Sequence, residues 1–118
     1  MAREPVDDPS VVESTLAALG GKYAARILSA ADRPVSAQEL SDELAIPIAT
    51  CYRRIEELET AGLLVCEGQQ TSKRGRRTSV YRRTIDGADL GLDGDGATLD
   101  LEESDSPAGS DGTRPNGT

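Results

Sequence analysis

Histidine, phenylalanine and tryptophan do not occur in these 118 residues, and tyrosine occurs only at positions 23, 52 and 81. A core built from this chain is therefore aliphatic and modest, and the length allows one small domain with tails. With no histidine, no serine or cysteine nucleophile has its usual base. No glycine-rich loop that cradles phosphates is present either, so the chain is not expected to be an enzyme. Two cysteines, Cys51 and Cys66, lie fifteen apart and fit no zinc spacing. Cys51 falls on an apolar stripe, where cysteine acts as a small hydrophobe. No cofactor and no small-molecule ligand is implied. The absence of an apolar run of membrane length and of a signal peptide points to a cytoplasmic chain with reduced thiols and no membrane partner.

Lysine is also scarce, at two of thirteen cations, and positive charge is scarce overall: the net charge is −8. That average hides a segregation. Residues 1–21 carry −3 and residues 86–118 carry −8, whereas residues 22–85 hold eleven cations against eight acids. The middle is the basic part, which keeps nucleic acid open as its partner. Abundant acids, arginine in place of lysine and small hydrophobes resemble the composition of proteins from salt-loving archaea.

The most organised stretch is Ile46 to Gly62. Pro47 suits a helix start, Gly62 suits a left-handed cap just past a helix end, and Cys51, Ile55 and Leu58 between them recur at i, i+4 and i+7. Ile48, Ala49, Thr50, Tyr52 and Arg53 occupy the front of this helix, mostly off the apolar stripe. Before it, Ser36-Ala37-Gln38-Glu39 is a capping box, which predicts a helix over 37–44 with Leu40 and Leu44 inward. Ala45-Ile46 makes the turn, and two short helices joined this way are a helix-turn-helix pattern. Further upstream, Ser10 to Glu13 forms a second capping box with Val12, Leu16 and Leu19 behind it, predicting a helix over 10–19. Another helix is expected over 22–31 and ends before Pro34.

After Gly62, Leu63 to Glu67 reads as a strand and Ser79 to Ile85 as its partner. The polar loop between them carries Lys73, Arg74, Arg76 and Arg77. The expected organisation is a flexible tail over 1–9, a domain over 10–85 and an acidic, largely disordered tail over 86–118, although a weak hairpin within 88–101 is a further option. Asp89, Asp93, Asp95 and Asp100 with Gly94 echo a calcium loop. The third and twelfth positions are wrong for one, and no flanking helices are evident.

The run Ser36-Ala-Gln-Glu-Leu-Ser…Pro47-Ile-Ala-Thr-Cys-Tyr-Arg-Arg-Ile-Glu-Glu-Leu…Ala61-Gly62-Leu63 resembles the winged helix-turn-helix of ArsR-type and related archaeal transcription regulators. The resemblance covers about residues 10–85. It implies an α+β, mostly helical fold of four short helices and a two-stranded wing. By the same resemblance, Ile48, Ala49, Thr50, Tyr52 and Arg53 would enter the major groove of double-stranded DNA, with Arg54 beside them. Backbone amides at Ser36, Ala37 and Gln38 would meet a phosphate, and Lys73, Arg74, Arg76 and Arg77 would lie along the DNA backbone. The chain lacks the cysteine pairs and His/Asp clusters of metal-sensing members, so a metal effector is not implied.

A structural alternative for Arg53 and Arg54 is that they balance Glu56, Glu57 and Glu59 on a solvated face. A homodimer on a two-fold site is expected, with Val12, Leu16 and Leu19 either forming its surface or covering the core. The rival functional reading is a winged-helix adaptor that docks onto transcription machinery without reading bases, the acidic tail repelling DNA, mimicking it or covering the basic face.

Overall fold

In the computed structural model, which describes residues 4–71 and 75–104, the chain forms four helices followed by two antiparallel hairpins. The helices are α1 (Pro9–Leu19), α2 (Ala24–Ala30), α3 (Ala37–Leu44) and α4 (Ile48–Thr60). The first hairpin pairs β1 (Leu64–Thr71) with β2 (Arg77–Arg83), and the second pairs β3 (Ile85–Asp93) with β4 (Gly96–Glu103). This is a winged helix-turn-helix fold with an added hairpin.

The two ends of the helix-turn-helix unit are closed by local hydrogen bonds. Ser36 Oγ accepts from the Glu39 amide at 3.1 Å, and Glu39 Oε1 accepts from the Ser36 amide at 2.9 Å, so both halves of the expected capping box form. At the far end Gly62 has φ +79°, and its amide donates to Glu59 O at 2.9 Å. The Leu63 amide reaches Leu58 O at 2.8 Å. That pair of bonds is a Schellman motif, and its hydrophobic partners Leu58 and Leu63 are both fully buried. Between α3 and α4 the chain turns at Ala45, which sits in the left-handed region at φ 57°. Ser41 Oγ holds the turn by donating to Ile46 O.

Val12, Ile27, Leu40, Cys51, Ile55, Leu58 and Leu63 fill the middle of the core. The stripe on α1 belongs to it: Val12 is buried, and Leu16 and Leu19 pack against the same cluster. The sequence left these three residues between a dimer surface and a core cover, and the structure uses them as the cover. The linker between α2 and α3 joins the wing, as Val35 exchanges both backbone bonds with Tyr81 on β2.

Several boundaries differ from the sequence expectations. The cap of α1 is Asp8, whose side chain accepts from the Ser10 hydroxyl and amide, and not Ser10 itself; Pro9 takes the first turn. Those bonds also hold the Asp8 carboxyl below its ordinary pKa. Helix α2 starts two residues late because Tyr23 adopts φ 71°, which a helix interior does not accept. The wing strands run longer than expected. Pairing continues through Gln69↔Ser79 to Thr71↔Arg77, after a bulge at Glu67.

Residues 86–103, assigned to the acidic tail with a weak hairpin in 88–101 as an option, are a folded hairpin attached to the domain. Leu90↔Leu99, Ala88↔Leu101 and Leu92↔Ala97 are cross-strand pairs on one face, and Leu99 and Leu101 are buried in the core. Val6 adds to the outer edge of β4 by exchanging two 2.8 Å bonds with Leu99, so residue 6 of the expected flexible tail is anchored as well. The tail beyond Ser104 lies outside the described residues. The averaged composition of 86–118 concealed a period-two pattern, Leu90-Gly-Leu92 and Leu99-Asp-Leu101, separated by an Asp-Gly-Asp-Gly turn.

Two stability predictions follow from this packing. Leu99→Ala should cost about 2–5 kcal/mol in chemical denaturation, as for other buried leucines; a disordered tail would show no change. Ala45→Gly should stabilise the domain by about 0.5–1 kcal/mol, because relief of left-handed strain exceeds the extra entropy of the unfolded chain. A lowered melting temperature for that variant would mean the Ala45 methyl is packed and not strained.

Candidate nucleic-acid interface

Helix α4 is held by its stripe of Cys51, Ile55 and Leu58, all but fully buried. Burial also pushes the Cys51 thiol pKa up, which suits a packed side chain and not a reactive one. At about 100° per residue, the buried stripe sets where every other side chain of the helix points. Ala49 and Arg53 face away from the core. Tyr52 and Glu59 take one flank, and Thr50, Arg54 and Glu57 take the other.

The exposed front comprises Ile48, Ala49, Tyr52 and Arg53, with Thr50 half-buried. Tyr52 is 57% exposed, unusual for the largest side chain of the helix. Arg53 has no hydrogen-bond or carboxylate partner among the described residues, although Glu56, Glu57 and Glu59 lie on the same helix. The sequence alternative, in which both arginines only balance these acids, therefore does not describe Arg53.

It does describe Arg54. The Arg54 guanidinium pairs with Glu57, and its Nε donates to Lys22 O at 3.0 Å. The side chain is only 17% exposed and runs along Gly21, where an added Cβ would stand 3.4 Å from Arg54 Cδ. Arg54 thus ties α4 to the turn between α1 and α2, and two adjacent arginines have different work. Sequence spacing alone did not separate them. The signal that would have done so is the Gly20-Gly21 pair, which leaves room for a long side chain to cross.

At the start of α3, the box occupies the amides of Ser36 and Glu39 and buries the Ser36 side chain. The Ala37 and Gln38 amides are the first-turn donors that the box does not use, and Gln38 is exposed with its amide group on Asp42. Of the expected phosphate-binding trio, Ser36 is therefore engaged within the protein.

The wing stands on the Tyr52 and Glu59 flank of α4. Burial raises the pKa of Tyr81 on β2, a hydrogen bond with Ser79 opposes that rise, and the nearby Glu59 carboxylate adds a smaller one. Arg76 and Arg77 are exposed at the described end of the hairpin, and Arg77 Nε donates to Gln69 Oε1 at 3.1 Å. Lys73 and Arg74 lie outside the described residues. At the root of the wing, two arginines absent from the expected site lock it to the helices. Arg82 donates to Asp32 O, and Arg83 reaches Leu28 O, Ser29 O and the Asp86 carboxylate. In the sequence both stand only within the second wing strand, and their long-range hydrogen bonds run inward.

Among the described residues no group of histidine, cysteine, aspartate or glutamate is arranged to hold a metal ion, and no helix is long and apolar enough to cross a membrane. A search of curated proteins finds no match to this chain. Residues 19–67 match the family model of a helix-turn-helix domain. The matched span runs from the last residue of α1 through α2, α3 and α4 to the first half of β1, so the similarity covers the helix-turn-helix unit, while the rest of α1, β2 and the second hairpin lie outside it.

Proposed function

We propose that this protein is a DNA-binding transcription regulator that lays the front of α4 in the major groove of double-stranded DNA and rests its basic wing on the backbone. The observation that carries this reading is Arg53. It is a cation facing away from the core at the front of the second helix of a helix-turn-helix, unpaired among the described residues in a chain with 21 acids. Arginine at that place has the fork geometry to read a guanine edge. Ala49, Thr50 and Tyr52 complete the reading surface, with Ile48 at its edge for apolar contact with a thymine methyl. Arg76 and Arg77, with Lys73 and Arg74, contact phosphates without reading sequence. The Ala37 and Gln38 amides face a further phosphate.

One reading helix covers a short site, so two copies act on a two-fold operator. With the α1 stripe spent on the core, Leu90 and Leu92 of β3 supply the apolar surface for the second copy; they are 45% and 74% exposed on the hairpin's apolar face. The resemblance to ArsR-type archaeal regulators and the arginine-over-lysine, acid-rich composition support a cytoplasm rich in salt as the setting. The Debye length at 1 M salt is about 3 Å, so close contacts carry the affinity there.

Selection of bound duplexes from a random DNA library, at both low and molar potassium chloride, tests the reading. We expect a short palindromic motif that survives at molar salt. Arg53→Ala should weaken binding to that motif by about ten- to a hundredfold, in line with a lost bidentate base contact. Arg76→Glu with Arg77→Glu should weaken binding to all duplexes alike. An adaptor that never reads bases would yield no enriched motif and no effect of Arg53→Ala. For the dimer, Leu92→Asp should halve the mass seen by light scattering; a wild-type monomer at operator-binding concentrations would remove that part of the proposal.

A further inference from the structure

The turn between α1 and α2 carries a feature that neither the groove-reading surface nor the wing absorbs. Tyr23 sits at φ 71°, a conformation that costs a bulky L-residue strain and marks positions held for a purpose. Two cations lie over its ring: Lys22 Nζ is 5.1 Å from the ring centroid and the Arg26 guanidinium carbon is 5.5 Å from it. Lys22 and Arg26 are both exposed, and among the described residues neither meets a carboxylate. Lys22 on the turn and Arg26 in the first turn of α2 repel each other, and the ring face offsets that repulsion only in part. The arrangement holds a positive pair ready for an anion.

Its position is fixed by Arg54. The Arg54 Nε–Lys22 O bond fastens the turn to the Thr50 and Arg54 flank of α4, near its N-terminal half and opposite Tyr52 and Glu59, while the wing leaves from the other end of the helix. The exposed front with Arg53 lies between the two. The charge pattern along the chain agrees independently. In a sequence with 21 acids, three stretches longer than ten residues contain none: 14–31, 44–55 and 68–85. The second is the front of α4 and the third is the wing. The first is centred on this turn, and Lys22 and Arg26 are its only charged residues.

We infer that the α1–α2 turn is a second phosphate-backbone site, in which Lys22 and Arg26, held by Tyr23, grip the DNA strand on the side of α4 opposite the wing. The inference rests on the DNA-binding reading above and adds to it. It makes the interface three-part: a reading helix straddled by two basic contacts, each free of acids. Both flanking contacts neutralise phosphates and release counterions, so each has a countable signature in salt dependence.

The test uses the full chain and a labelled mixed-sequence duplex, with affinity followed by fluorescence anisotropy across a salt series. For Lys22→Gln with Arg26→Gln, the slope of log affinity against log salt should flatten by about 1.8, at about 0.9 per phosphate contact. Affinity at low salt should drop at least tenfold. The charge-keeping swap of Lys22→Arg with Arg26→Lys should retain the wild-type slope, and Arg33→Gln, a cation outside the acid-free stretches, should leave it unchanged. Because both substituted side chains are exposed, melting curves should match the wild type. An unaltered slope in the glutamine double variant, with the wild type still binding, overturns the second site and leaves the DNA reading standing. A wild type that does not bind the duplex overturns both.

Discussion

The burial of one narrow stripe on α4 governs the arrangement of this molecule. Cys51, Ile55 and Leu58 are inserted among Val12, Ile27, Leu40 and Leu63, and that insertion fixes the rotation of the helix about its own axis. Every outward residue is then assigned by the 3.6-residue period, with no further choice. The Schellman cap at Gly62 turns the chain back and buries Leu63 in the same act, and β1 starts at the next residue. Helix, cap and wing are therefore one mechanical unit. A shift of the stripe by one residue would rotate the exposed front of Ala49, Tyr52 and Arg53 away and displace the wing together with it.

Charge is distributed with equal economy. Arg82, Arg83 and Arg54 each pair with a carboxylate near in the fold and also donate to carbonyls at or just after the end of α2 or in the α1–α2 turn, which makes them fasteners between elements. Guanidinium suits that work because it donates in several directions at once. Arg53 carries the same side chain but has no such partner among the described residues, so its charge stays at the surface. Basic content therefore misleads as a guide to this interface. What separates fasteners from candidate contacts is whether a carbonyl lies within reach.

That distinction also explains what was legible in the sequence. Local devices were: the Ser36–Glu39 box, the Gly62 cap, the α4 stripe and the limits of α3 each depend on a few neighbouring residues. Readings that require a partner far along the chain were not. The role of Arg54 depends on a carbonyl 32 positions away, and that of Arg83 on carbonyls more than 50 positions away. Asp8 displaced Ser10 as the cap of α1 because Pro9 fits the first turn and cannot sit further inside. The second hairpin was legible only as a weak option, because its anchorage lies outside its own residues. Four leucines among glycines and aspartates look too few to fold alone, and they are; they fold because Leu99 and Leu101 borrow the core of the helical domain.

The folded hairpin changes the electrostatic reading of the acidic end. A polyanionic arm that swings over the basic face requires its charge to be on a free chain. Seven acids lie between Asp86 and Glu103, whereas the residues beyond Ser104 contain Asp105, Asp111 and Arg114, which sum to a single negative charge. Most of the negative charge is therefore on a hairpin held by two buried leucines and by the Val6–Leu99 exchange. Releasing it would expose those leucines to water and break the core contact. Leu99 and Leu101 fasten one face of the hairpin to the core, which leaves Asp89, Asp93, Asp100 and Glu102 on the opposite face, at fixed positions. Fixed like charge makes that side of the molecule a poor surface for any polyanion, and the charge cannot move elsewhere without opening the core.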